Sequence, residues 1–132
     1  MNKLTKIFVT FISAITLTLA SISSSFAKVD GEYIVLGAAV SLTGKYSSNG
    51  VHTQNGYNLA VERINKMGGV EVGGKKYKFE IIYYDDESNS GRAAQLAERL
   101  IKQDGVKYML GPYSSGLTKA MAPVTEKYKI PM

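Results

Sequence analysis

Apolar runs divide the chain into predicted strands. The continuous run Tyr33–Val40 is typical of a strand that is buried on both faces, as strands of parallel sheets are. A second run covers residues 77–84, where alternation gives way to fully apolar positions, and a third covers residues 106–110. Residues 129–132 indicate the opening of a fourth strand. Residues 70–77, which lead into the second strand, predict a hairpin with a Gly-Gly turn.

Helical periodicity marks the segments between and after these runs. The first helix is predicted to begin near Gly50 or Val51 and to stop at Gly68. The second ends before Gly105, and the third contains Pro123, where we expect a kink or a late start. The apolar faces consist of Tyr57, Ala60, Val61 and Ile64 in the first helix; Ala93, Leu96, Ala97 and Leu100 in the second; and Leu117, Ala120, Met121 and Val124 in the third.

The alternation of strands and helices predicts an α/β fold with a doubly wound parallel sheet. Right-handed crossovers place helices on both faces and bring the loops that follow the strands to one edge of the sheet. Two of these loops, residues 41–50 and residues 111–116, are rich in serine and glycine. We therefore expect both loops to face one crevice, which is where ligands of open α/β sheets bind.

The loop at residues 111–116 has the features of an anion-binding turn. It leads from the third strand through Gly111 and Pro112 to Ser114 and Ser115, which begin a helical pattern. The unpaired N–H groups and the positive dipole end of a helix suit a carboxylate or a phosphate. The alternative is that one serine is only a helix N-cap. The convergence of two serine-rich loops favours a ligand site.

Residues 1–27 predict a secretory signal peptide. A basic start precedes an apolar stretch at residues 7–22, and the small residues Ser25 and Ala27 mark a cleavage site after Ala27. A membrane anchor is the alternative, but the stretch is shorter than the ~20 apolar residues of a spanning helix and carries five hydroxyl groups. We expect export to the periplasm and a mature chain that starts at Lys28.

Composition narrows the functional classes. The formal charge of +5 includes two lysines of the leader, and the rest is spread too evenly to predict a nucleic-acid partner. The chain has no cysteine and one histidine, His52, so it offers neither a Cys/His zinc set nor a Cys–His pair. The acidic run Asp85, Asp86 and Glu87 lacks EF-hand spacing, and we interpret it as a solvated loop.

Motifs for nucleotide binding and for hydrolysis are incomplete. Residues 69–76 approach a P-loop, but Lys76 stands where Ser or Thr is required, and the segment precedes a strand. No G-x-G-x-x-G follows the first strand, so the sequence predicts no dinucleotide cofactor. Ser115, His52 and Asp85 could form a triad, but no G-x-S-x-G elbow supports it. We predict neither catalysis nor a cofactor.

Three groups of residues occur together in the order that characterises one protein family. They are residues 39–44 followed by Gly50; residues 56–65 followed by 68–70; and residues 104–106 and 111–116 followed by 122–124 and 130–132. In this combination the chain resembles the amino-terminal lobe of the leucine/isoleucine/valine-binding protein family, which are periplasmic solute receptors of ABC transporters. The resemblance covers nearly all of residues 33–132.

The resemblance implies a two-lobed protein that closes on a small ligand and performs no catalysis. It implies that residues 28–132 are a truncated amino-terminal lobe, in which Ser115 binds the carboxylate of an amino acid or a similar small carboxylate. Asn49 matches a pocket-wall position that is often aromatic in the family. Because it is asparagine here, the resemblance does not specify a branched-chain amino acid. Tyr113 and Ser114, beside Ser115, complete the candidate ligand-binding set.

The first functional hypothesis is therefore a periplasmic solute-binding component of an ABC transporter, with a small-molecule ligand and a membrane permease as partners. An alternative is the extracellular ligand-binding sensor domain of a receptor, which a transmembrane segment and a signalling domain after the second lobe would indicate. A secreted α/β enzyme is disfavoured, because the sequence lacks a nucleophile elbow, a metal set and a cofactor fingerprint.

Overall fold

The computed structural model describes residues 29–30 and 32–132, so the predicted signal peptide at residues 1–27 lies outside the described residues. Strands and helices alternate along the described part. In chain order they are β1 (Val29–Asp30), β2 (Tyr33–Val40), α1 (Ser47–Lys66), β3 (Val70–Val72), β4 (Lys75–Asp85), α2 (Ser90–Lys102), β5 (Met109–Leu110) and α3 (Ser115–Lys127). This alternation confirms the predicted α/β class. None of these helices is long and apolar enough to cross a bilayer.

Strand β2 is central in the sheet. It pairs in parallel with β4 along its whole length, from Tyr33 opposite Lys78 to Val40 opposite Asp85. Its other edge pairs in parallel with β5 and, at its beginning, antiparallel with the short strand β1. The first parallel strand therefore lies between the two that follow it, as the doubly wound layout requires.

The main core lies between the sheet and the pair of helices α2 and α3. Helix α2 contacts both α3 and β2, whereas α1 contacts β4 and β2. The crossovers through α1 and α2 lead to opposite edges of β2, so right-handed connections put these helices on opposite faces. The buried members of the core are Val35, Ala39, Ala93, Leu96, Ala97, Leu100, Ile101, Val106, Met109, Leu117, Met121 and Ile130.

Helix α1 is much less buried than α2. Its one fully buried residue is Gly50, and the predicted apolar face is only partly covered, with Ala60 exposed. Leu59, on another side of the helix, is 67% exposed. An apolar groove also opens on the sheet. The groove is lined by Ile34, Leu36, Val70, Val72, Phe79 and Tyr108.

The predicted start of the first helix, near Gly50 or Val51, is wrong by three or four residues, because α1 begins at Ser47. The polar segment after Gly44 was interpreted as a loop from its composition. In the structure, the N–H of Ser47 bonds to the carbonyl of Gly44 at 3.2 Å, and the N–H of Gly50 bonds to that of Tyr46 at 2.8 Å. These backbone bonds wind the chain into a helix without a side-chain cap.

The third strand is shorter than predicted, and the third helix starts earlier. Val106 bonds through its N–H to the carbonyl of Leu100 at 3.1 Å, so it closes the end of α2 and does not join the sheet. Helix α3 runs from Ser115 through Pro123, so of the predicted kink or late start at Pro123, the late start is wrong. Near the predicted fourth strand, no ladder forms within the described residues, but the N–H of Met109 bonds to the carbonyl of Pro131 at 2.9 Å.

The hairpin prediction is confirmed. Strand β3 pairs antiparallel with the beginning of β4, from Val70 opposite Tyr77 to Val72 opposite Lys75. The two residues between them are glycines in the left-handed region, as the predicted Gly-Gly turn requires.

Candidate functional site

The loops that follow β2 and β5 meet at the carboxyl edge of the sheet. The ring centroids of Tyr46 and Tyr113 are 5.8 Å apart, with an angle of 54° between the ring planes. The hydroxyl of Tyr57, on α1, donates to the carbonyl of Gly111 at 2.8 Å. These contacts bring the two loops together at one edge of the sheet, so their predicted convergence is confirmed.

The two serines of the second loop have different roles. Ser114 is the N-cap of α3: its backbone is extended, and its Oγ accepts from the N–H of Leu117 at 3.3 Å. The cap interpretation is therefore correct for Ser114. Ser115 is the first residue of the helix and is exposed, and its hydroxyl has no hydrogen-bond partner within residues 32–132. That hydroxyl is available to a ligand.

The first turn of α3 also offers backbone donors. The first N–H groups of a helix have no intrahelical acceptor. Ser114 accepts from one of them, the N–H of Leu117, through its Oγ, and its carbonyl accepts the first intrahelical bond, from Thr118. The N–H groups of Ser115 and Gly116 are left for a ligand. No acidic residue lies in this turn, so nothing there offsets the positive end of the helix dipole.

Asn49 lies in the first turn of α1, because that helix begins before the predicted position. Its side chain is exposed, and its carbonyl accepts from the hydroxyl of Thr53 at 3.0 Å. Within residues 32–132, no hydrogen bond or ring contact joins Asn49 to residues 113–115. The structure brings Tyr113, Ser114 and Ser115 together as chain neighbours. It does not join Asn49 to them.

Two tyrosines at this edge were missed as site residues by sequence reasoning. The sequence pattern assigns Tyr57 only to an apolar helix face and Tyr46 only to the loop at residues 41–50. Burial raises the pKa of the Tyr57 hydroxyl, which therefore stays protonated and donates at neutral pH. Lys45 places its Nζ 4.7 Å from the Tyr46 ring centroid, which adds a positive charge beside the aromatic pair. The position of Tyr46 in the loop after β2 is the sequence feature that could have identified it as a site residue.

The acidic run is a hydrogen-bonded turn. Asp86 is fully buried, so the interpretation of this run as a solvated loop is wrong for that residue. Among the residues that the structure describes, no three His, Cys, Asp or Glu side chains form a group suited to a metal ion. In the same part of the chain, no hydrogen bond links Ser115, His52 and Asp85 into a triad.

Asp85 is the most heavily hydrogen-bonded member of this run. Burial acts to raise its pKa, but hydrogen bonds from the Thr43 hydroxyl and from the N–H groups of Glu87, Thr43 and Leu42 outweigh it. The pKa of Asp85 is therefore lower than that of an ordinary aspartate, and the group is a carboxylate at neutral pH.

The sequence pattern that defines periplasmic binding proteins matches residues 33–132, which include every described helix and strand except β1, together with the loops after β2 and β5. The chain belongs to the periplasmic binding protein family. The members that it resembles bind solutes and are not enzymes, so the prediction that the chain is not an enzyme is confirmed. The fold prediction is confirmed as well, since the described sheet corresponds to part of one lobe of these proteins.

Relatives in this family are about a third identical to the chain over the aligned residues. The Leu/Ile/Val-binding protein BraC3 of Rhizobium johnstonii is 31% identical over 110 residues, which are 83% of this chain and 29% of the relative. The leucine-, isoleucine-, valine-, threonine- and alanine-binding protein of Pseudomonas aeruginosa is 31% identical over 96 residues, which are 73% of this chain and 24% of the relative. The resemblance to the leucine/isoleucine/valine-binding proteins is therefore confirmed.

Two solved structures have a similar fold. The branched-chain amino acid transporter substrate-binding protein LivJ of Streptococcus pneumoniae, in complex with isoleucine, matches with a TM-score of 0.66 and 31% identity over 74% of this chain and 27% of LivJ. A solute-binding protein of an ABC transporter from Rhodopseudomonas palustris, in complex with 3,4-dihydroxybenzoic acid, matches with a TM-score of 0.62 and 31% identity over 76% of this chain and 26% of that protein. The chain spans less than a third of the length of each of these relatives and structures.

Proposed function

We propose that this chain is part of the solute-binding component of an ABC transporter. In this proposal residues 1–27 direct export to the periplasm, and residues 28–132 form most of the amino-terminal lobe of a two-lobed receptor. The receptor closes on an amino acid or a similar small carboxylate and delivers it to a membrane permease. No catalytic step and no cofactor is involved.

The observation that carries the proposal is the free hydroxyl of Ser115 at the start of α3. It lies beside unpaired N–H groups of the same turn, and Tyr113, two residues before it, contacts Tyr46. These donors suit a carboxylate, and the rings offer apolar surface to the rest of a small ligand. Two ligands bound by similar solved proteins, isoleucine and 3,4-dihydroxybenzoic acid, both carry a carboxylate.

The experiment compares the effects of substituting Ser114 and Ser115 on affinity and stability in the full-length, two-lobed protein. Isothermal titration calorimetry with leucine, isoleucine, valine and 3,4-dihydroxybenzoate identifies the probe that binds, and Ser115→Ala is then titrated with that probe. A hydrogen bond to a charged group contributes about 1.5–3 kcal/mol. We therefore expect Ser115→Ala to weaken binding roughly ten- to hundredfold, since 1.4 kcal/mol is a factor of ten. Its melting temperature should be nearly unchanged.

Ser114→Ala is the matched control. It removes the N-cap, so we expect a loss of about 1 kcal/mol in the free energy of unfolding, with a smaller effect on affinity than Ser115→Ala has. A Ser115→Ala variant that loses stability and binds its probe normally would reject the ligand role. Failure of every probe with the wild-type protein would reject this ligand class.

A further inference from the structure

The turn between β4 and α2 is hydrogen-bonded to the loop between β2 and α1. Six hydrogen bonds connect the two segments, and they come from Asp85, Asp86 and Ser88 on one side and from residues 41–46 on the other. We call this set of contacts the acidic clasp. Its partners lie far apart along the chain, so the clasp exists only in the folded sheet.

Asp85 provides half of the clasp. Its Oδ1 accepts from the N–H groups of Leu42 at 2.9 Å and Thr43 at 3.2 Å, and its Oδ2 accepts from the Thr43 hydroxyl at 2.7 Å. Asp86, which is fully buried, accepts from the hydroxyl of Ser41 at 2.6 Å. Hydrogen bonds to an ionised carboxylate are stronger than those between neutral groups, so Asp85 holds this loop firmly.

Ser88 completes the clasp at the far end of the loop. Its hydroxyl donates to the carbonyl of Thr43 at 2.8 Å and accepts from the N–H of Tyr46 at 3.0 Å. Between these two points, Gly44 has a φ of 81°, and a Cβ there would lie 2.7 Å from both the carbonyl oxygen of Glu87 and the Oγ of Ser88. The two segments are thus in contact along their backbones.

The turn between β4 and α2 has a strained backbone. Glu87 and Ser88 have φ angles of 53° and 59°, in the left-handed region that non-glycine residues rarely adopt. The carboxylates of Asp85 and Asp86 hold the turn, because each accepts from the N–H two residues later at 2.8 Å. Strain of this kind persists only where the surroundings determine the conformation, and it concentrates at functional sites.

The loop held by the clasp ends at the candidate ligand site. Tyr46 receives the last hydrogen bond of the clasp at its backbone, and its ring contacts Tyr113, the neighbour of the two serines. We propose that Asp85 is a positioning residue for ligand binding: through the acidic clasp it fixes the β2–α1 loop so that Tyr46 stands against Tyr113 in the binding crevice. The ligand part of this inference rests on the proposed function.

The test uses the full-length protein and substitutions on both sides of the clasp. Asp85→Ala removes both acceptor oxygens, Asp85→Asn keeps one of them and the shape of the side chain, and Thr43→Val removes one bond from the opposite loop. Glu87→Ala is the matched control, because the carboxylate of Glu87 pairs with Arg92 at 3.3 Å and has no hydrogen bond to the β2–α1 loop in the described part of the chain.

Three measurements are made on each variant: hydrogen exchange of residues 41–50 without ligand, the nuclear Overhauser effect between the rings of Tyr46 and Tyr113, and the affinity for the probe that the wild-type protein binds. We expect Asp85→Ala to speed exchange, to weaken the ring contact and to weaken binding about tenfold, which is 1.4 kcal/mol. Asp85→Asn and Thr43→Val should have intermediate effects. Glu87→Ala should match the wild type.

Faster exchange in Asp85→Ala with an unchanged ring contact and unchanged affinity would overturn the inference, because the clasp would then be purely structural. If Asp85→Ala does not fold, the same three measurements on Thr43→Val are used, and the same pattern of results would overturn the inference. If the wild-type protein binds none of the probes, the proposed function fails separately. The ring contact then decides the positioning role: its loss in Asp85→Ala or Thr43→Val supports the role, and its retention rejects it.

Discussion

Asp85 makes the stability of the molecule depend on pH in a defined direction. Its pKa in the folded state lies below the ordinary value of 3.8, because its hydrogen bonds favour the carboxylate more than burial disfavours it. The folded protein therefore binds fewer protons than the unfolded chain in this range. The stabilising contribution of Asp85 is present above about pH 4 and is lost as the pH falls through the folded-state pKa.

We therefore predict that Asp85→Asn lowers the melting temperature at pH 6 and that the difference from the wild type shrinks as the pH is lowered below 4. Thermal melts of both proteins across this range test it. Glu87→Gln removes the neighbouring carboxylate and serves as the control, with little effect expected at either pH because that side chain is exposed. A difference that stays constant with pH would contradict the assignment.

Single residues at the candidate site were only partly predictable. The sequence placed Ser114 and Ser115 at a helix start, because a Gly-Pro break and a Ser pair precede a helical pattern there. Which serine caps the helix depends on backbone angles that either could adopt, so composition did not decide it. The contact of Tyr46 with Tyr113 joins two loops that are distant in sequence, and only their tertiary placement reveals it.

At the scale of elements, the packing of α1 against the end of β2 depends on Gly50. A Cβ at this position would lie 1.9 Å from the carbonyl oxygen of Ser41. Replacing glycine by alanine inside a helix is ordinarily stabilising by roughly 0.5–1 kcal/mol. At Gly50 the close approach makes this substitution destabilising instead. We predict that Gly50→Ala lowers the free energy of unfolding by about 1–3 kcal/mol, as overpacking does.

Gly56 provides the control for that prediction in the same helix. Nothing lies within 4 Å of a Cβ built at Gly56, so Gly56→Ala should stabilise the protein by the ordinary amount of roughly 0.5–1 kcal/mol. Denaturant titrations of the two variants give opposite shifts if the structure is right. Equal shifts would mean that Gly50 does not touch the end of β2.

Most elements could be predicted because their apolar runs have the length and period of buried strands or one-sided helices. The core face of α2 and the second half of β2 are examples, since the structure buries them, whereas Tyr33 at the beginning of β2 is exposed, so the prediction that this strand is buried on both faces holds only for its second half. The beginning of α1 was not predictable in this way. Residues 47–49 are polar, and α1 starts there because backbone bonds tie it to the end of the preceding loop.

At the scale of the whole molecule, residues 28–132 alone leave apolar surface uncovered. The groove lined by Ile34 and Tyr108 is open, and Leu59 on α1 and Met67 directly after it are 67% and 66% exposed. We predict that this segment, produced by itself, is marginally stable and associates at high concentration. Size-exclusion chromatography and the dispersion of NMR signals test this. A monomer with a sharp cooperative melt would contradict it.

Export is the second prediction at this scale. The basic start, apolar stretch and small residues before Lys28 predict cleavage after Ala27. Intact mass or amino-terminal sequencing of protein from the periplasmic fraction should show Lys28 as the first residue. A chain that keeps Met1 in that fraction would reject the assignment.

The central place of β2 has a consequence for the order in which the chain can fold. β2 is synthesised before either of its parallel neighbours, and both neighbours come from later parts of the chain. Apart from the short local pairing with β1, its edges can be filled only by contacts between distant segments, and such contacts form slowly. The parallel sheet can therefore form only after β4 and β5 have been synthesised. This delay suits the proposed export, in which the chain crosses a membrane before it folds.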